Sequence, residues 1–63
     1  MIHNIRPGDV CYIEDINLIV LVLCYEGYGL YVAEFSYPQT VNGYLCFCHM
    51  LVSGKDLIRL GVL

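Results

Sequence analysis

Leu18-Ile19-Val20-Leu21-Val22-Leu23-Cys24-Tyr25-Glu26-Gly27-Tyr28-Gly29-Leu30-Tyr31-Val32-Ala33-Glu34 is the stretch that decides the fold. Seven apolar residues run from Leu18 to Cys24 without a polar break, and Leu30 to Ala33 resume the run after a glycine-flanked turn. The first run is rich in Val, Ile and Leu and is bounded closely by turn residues, so it reads as a strand rather than a helix. Glycine supplies the positive φ that a tight hairpin needs, which makes Gly27-Tyr28-Gly29 the link between strands 18–26 and 30–36. Both faces of this hairpin are apolar. A strand in a small antiparallel sheet needs only one such face, because the other meets water.

Working outward, Pro7-Gly8-Asp9 is a turn that launches a strand over 10–14, and Glu14-Asp15-Ile16-Asn17 forms a polar loop. Residues 37–43 form a second loop, whose strongest turn signal is Asn42-Gly43. A fourth strand is expected over 44–51. Ser53-Gly54-Lys55-Asp56 suits a single 3₁₀ turn that leads into a last strand over 57–60. These elements compose one all-β domain over residues 1–63, a five-stranded small barrel. Side-chain alternation sets Cys11, Ile13, Val20, Val22, Cys24, Tyr31, Ala33, Phe35, Cys46, Cys48, Met50 and Leu57 inward. It sets Ile19, Leu21, Leu23, Leu30, Val32, Leu45 and Phe47 outward.

Four segments carry a resemblance: Gly8-Asp9-Val10-Cys11-Tyr12-Ile13, Tyr25-Glu26-Gly27, Tyr31-Val32-Ala33-Glu34-Phe35 and Asp56-Leu57-Ile58-Arg59-Leu60. In this order the chain resembles a Src-homology-3-like barrel, and is similar to short prokaryotic and phage proteins of that fold with no assigned activity. The resemblance implies a Gly-Asp turn opening the first strand and a 3₁₀ turn before the closing strand. It transfers architecture only, since this fold hosts many functions. One departure matters: positions of the second strand that are usually polar and outward here hold Ile19, Leu21 and Leu23.

Composition narrows the function. The chain is 59% hydrophobic and 14% charged, with a net charge of −3, which excludes a disordered polyelectrolyte. Arg6, Lys55 and Arg59 are its only fixed cations. Nucleic-acid affinity rests on cations set against phosphates, so no nucleic-acid partner is expected, and an anionic membrane surface is disfavoured for the same reason. No run reaches the ~20 residues of a membrane helix, and the first residues lack a signal-peptide core. A cytoplasmic location is the expectation.

Chemistry is sparse. Cys46-Phe47-Cys48-His49 holds a C-x-C, but sulfurs at alternate positions of an extended strand lie roughly 7 Å apart and His49 points the other way. Cys11, Cys24, Cys46 and Cys48 read as small buried thiols, with no metal and no cofactor. His3 and His49 lack an evident orienting carboxylate or nucleophile, no catalytic residue is assigned, and no enzyme is expected. Tyrosines are common on strands for propensity alone, yet they also favour recognition surfaces. Tyr12, Glu14, Asp15, Tyr25, Glu26 and Tyr28 form a candidate acidic, tyrosine-rich face for an unidentified protein partner. Ile19, Leu21, Leu23, Leu30 and Val32 form a candidate self-association patch, implying a homodimer or larger ring. The expectation is a non-catalytic interaction module. The alternatives are a cysteine-dependent metal or redox protein and a structural subunit of a larger assembly.

Overall fold

The computed structural model describes residues 5–62, so His3 lies outside it. Seven strands and two 3₁₀ turns follow one another. They are β1 (Asp9–Ile13), a turn over Glu14–Ile16, β2 (Leu18–Gly27), β3 (Leu30–Phe35), β4 (Gln39–Val41), β5 (Tyr44–Cys46), β6 (His49–Ser53), a turn over Gly54–Asp56 and β7 (Ile58–Val62). The protein is all-β. Five strands form one antiparallel sheet in the order β6-β3-β2-β1-β7, and β4 and β5 form a separate hairpin.

The expected barrel closure is not found. β6 and β7 each have one hydrogen-bonded neighbour and do not pair with each other, so the sheet has two edges. The expected fourth strand is also corrected. Asn42 (φ 51°) and Gly43 (φ 82°) both take positive φ, as a two-residue hairpin turn requires. That turn folds Tyr44–Cys46 back onto Gln39–Val41 instead of onto β3. The chain breaks at Phe47-Cys48 and rejoins the main sheet where the Phe35 N–H donates to the Cys48 carbonyl at 2.9 Å.

Rows across the sheet show which side chains share a face, because antiparallel partners point the same way. Val22, Ala33 and Met50 form one inner row, and Cys11, Val20 and Phe35 form another. The core consists of Ile5, Cys11, Ile13, Val20, Val22, Ala33, Val52 and Leu57, with Leu18, Tyr31, Phe35 and Met50 packed against it. Most of the expected inward set is therefore inside.

Two cysteines are corrections. Cys24 is exposed because β2 carries an extra residue at Leu23: Val22 faces Ala33, and Cys24 already faces Val32. The bulge turns Cys24 to the outer face and Tyr25 to the inner one, where its ring lies 5.0 Å from that of Tyr31. Cys46 is exposed because β5 belongs to the separate hairpin.

Candidate interaction surfaces

The outer face is built from rows of the same ladder. Val10, Leu21, Glu34 and His49 lie in one row, Cys24, Val32 and Leu51 in a second, and Tyr12, Ile19 and Ile58 in a third. Of the expected self-association patch, Ile19, Leu21, Leu30 and Val32 stand on this face, and Leu23 occupies the bulge between Leu21 and Cys24. Ile19 is exposed and the other four are half-buried. Val10 and Leu51, which the sequence reading left out, extend the patch, and Leu51 is 58% exposed. A groove of about 280 Å³ adjoins it, lined by Val10, Leu21, Glu34, Phe35 and Phe47 among others.

One polar pair borders this surface. His49 Nε2 lies 3.2 Å from Glu34 Oε2, a carboxylate that the sequence reading did not assign to it. The pairing follows from the Glu34–His49 register. Glu34 is the only side-chain hydrogen-bond partner of His49 among the described residues.

The expected acidic, tyrosine-rich face divides into three places. Glu14 and Asp15, on the first 3₁₀ turn, share a groove of about 120 Å³ with Lys55, Asp56 and Ile58. Tyr12 lies on the outer face of β1, with its hydroxyl 2.8 Å from Asn17 Oδ1. Tyr25, Glu26 and Tyr28 belong to the β2–β3 hairpin. There the Tyr25 hydroxyl accepts the Gly29 N–H at 3.0 Å, and Tyr28 is 99% exposed. The second 3₁₀ turn touches two of these groups. The Gly54 N–H donates to the Gly29 carbonyl at 2.8 Å, while Lys55 and Asp56 line the groove with Glu14 and Asp15.

A second missed feature is electrostatic. Asp9 is 1% exposed, and its Oδ2 accepts the Arg6 backbone N–H at 2.9 Å and Arg59 Nε at 3.1 Å. The Arg6 hydrogen bond, then the Arg59 hydrogen bond and charge, hold the carboxyl below its ordinary value against the opposing effect of burial. Arg6 and Arg59 also line a cleft of about 360 Å³ with Pro7, Asp9 and Val62. Two of the three fixed cations thus gather at one structural carboxylate.

The thiols differ in setting. Burial pushes the Cys11 thiol up, helped by Asp9 and opposed by Arg59. Cys24 is raised chiefly by its hydrogen bond to Glu26, whose Oε2 lies 3.4 Å from the sulfur. Cys48 is raised by burial and then by the neighbouring Cys46 thiol. No group of three or more His, Cys, Asp or Glu residues among the described residues is arranged to hold a metal ion. Reaction with a maleimide at neutral pH is expected to modify Cys24 and Cys46 first and Cys11 only after denaturation. Mass spectrometry of peptides from a short time course reads the order, and early modification of Cys11 would contradict the burial pattern.

Among the described residues no helix is long and apolar enough to cross a membrane. No protein-family model, no curated protein and no solved structure matches this chain with significance.

Proposed function

We propose that this chain is a non-catalytic protein-interaction module that associates with itself through the outer face of its sheet. A partner protein then engages the acidic groove of Glu14 and Asp15 and the hairpin tyrosines Tyr25 and Tyr28. The architecture proposed for it is Src-homology-3-like: β1, β2, β3 and β6 lie side by side in chain order, and after a 3₁₀ turn the last strand, β7, crosses to lie beside β1. One observation carries the reading. Leu21, Leu30 and Val32, joined by Val10, Ile19 and Leu51, stand on the sheet face opposite the core, where Ile19 and Leu51 are exposed and the other four half-buried. Apolar surface at ~25 cal/mol/Å² favours burial, and a chain this short covers only about 60% of what its unfolded form exposes. A second copy offering the same face covers that surface.

Lysines at both Leu21 and Val32 (Leu21→Lys with Val32→Lys) set charges at the centre of that face without entering the core. Sedimentation equilibrium is expected to show the doubly substituted chain at a lower mass than the parent, with its far-ultraviolet spectrum retained. A parent that already sediments as a monomer at high concentration would refute self-association.

A further inference from the structure

The β4–β5 hairpin is unlike the rest of the molecule. It stands outside the five-stranded sheet, and among the described residues its two strands pair only with each other. Its apolar side chains face solvent: Tyr44 is 77% exposed and Leu45 73%, and Val41 and the adjacent Phe47 are also exposed. From Phe35 to Cys48 the sequence contains no charged residue, although the whole chain carries −3. An isolated two-stranded hairpin is marginal in water, because it leaves both outer edges and both faces open.

The two kinds of sheet edge are finished differently. β7 has an extra residue at Leu60 and an inward Arg59 held by Asp9, two devices that discourage strand addition. β4 and β5 contain no bulge, lysine or proline. A lipid surface would leave the outer N–H and C=O groups of both strands unpaired, at a cost of several kcal/mol each, whereas another strand satisfies them. Every Asp and Glu lies outside the 35–48 segment, so two acidic bodies can meet there without opposing like charges. Pairing along β5 covers part of Tyr44, Leu45 and Phe47 and the strand backbone, less than the ~800 Å² per partner of a standard interface, so the contact is weak and concentration-dependent.

We propose that β4–β5 is a docking arm that pairs with the same arm of a second copy, β5 against β5, to form a four-stranded intermolecular sheet. Antiparallel pairing centred on Leu45 sets Leu45 against its twin and Tyr44 against Cys46 of the other copy. Phe47 joins this contact to the groove beside Leu21, yet the arm contact is distinct from the face contact proposed above.

Hydrogen exchange of the full chain, read by mass spectrometry on peptides covering residues 38–48, tests it. Arm amides are expected to exchange about tenfold more slowly at high protein concentration than on dilution. Leu45→Lys places like charges across the twofold axis and is expected to abolish that protection while leaving β1 to β3 unchanged. An equimolar mixture of Leu45→Lys and Leu45→Glu is expected to restore it. A dimer too tight to dissociate on dilution would show constant protection that Leu45→Lys removes, which also supports the arm contact. Arm amides that exchange freely at every concentration, or protection that Leu45→Lys does not alter, would overturn it. Protection that appears only with phosphatidylcholine vesicles or a different protein would do the same. The Leu21→Lys and Val32→Lys chain separates the two contacts, because loss of the face should leave the arm protected.

Discussion

Asp9→Ala is expected to lower the melting temperature by roughly 10 °C, because in a small domain it removes a buried carboxylate that accepts hydrogen bonds from a backbone N–H and from the half-exposed Arg59. Asp9 sits at the start of β1, nine-tenths and more hidden, with one oxygen shared between the Arg6 N–H and the Arg59 guanidinium. Alanine leaves that N–H without its acceptor and releases the half-exposed Arg59 side chain to water. Asn in place of Asp keeps an acceptor for Arg6 but removes the charge, so its effect should be smaller. The pH dependence follows from the depressed carboxyl. The stabilisation is complete above the unfolded value of 3.8 and drains away as pH falls through the lower folded value. Thermal melts between pH 7 and pH 3 should therefore show the parent losing stability below about pH 4 more steeply than Asp9→Asn. Parallel curves for the two proteins would remove Asp9 from the account.

Gly54→Ala is expected to cost about 1–3 kcal/mol through overpacking, a large share of the stability of a chain this size. A methyl group built on Gly54 would lie 2.8 Å from Tyr31 Cε1 and 3.6 Å from the Gly29 carbonyl oxygen. The Tyr31 ring cannot swing aside cheaply. Its hydroxyl donates to the Ile5 carbonyl at 3.2 Å, and the Tyr25 ring lies against it. Nor can the 3₁₀ turn retreat without losing the bond from the Gly54 N–H to Gly29. Gly61→Ala is the control, since nothing lies within 4 Å of a methyl group there. Urea unfolding should give a lower midpoint for Gly54→Ala and little change for Gly61→Ala. Equal midpoints would mean that the Tyr31 contact yields.

Much of the fold was legible where local chemistry and global packing agree. The Val20 and Val22 alternation, the glycine turn before Leu30 and the 3₁₀ turn before the last strand all speak through near neighbours in sequence. The parts that were not legible depend on counting or on distance. A bulge adds a residue without altering the hydrophobic pattern, so Cys24 reads as inward on any strict alternation. The β4–β5 hairpin was announced by Asn42-Gly43, but its flanks are only three residues long and were absorbed into a loop and a longer strand. The Asp9–Arg59 pair joins the two ends of the chain, and the Glu34–His49 pair follows from a register that no single segment contains. For the candidate surfaces, the outer aliphatic patch could be read because it lies on one hairpin. The acidic tyrosine face could not, because Tyr12 and Glu14 lie beside the start of β2, whereas Tyr25 and Tyr28 lie at its far end.

Leu23 gives β2 a hidden switch of parity. Upstream of it, odd-numbered residues look out; downstream, the even-numbered Cys24 looks out and the odd-numbered Tyr25 looks in. Deleting that one leucine would restore strict alternation. Cys24 would still look out and Tyr25 in, whereas a strand that kept Leu23 but lost the bulge would send the thiol into the interior and the phenol ring into solvent. A chain one residue shorter at this place would thus show the same surfaces, because the bulge absorbs the extra leucine.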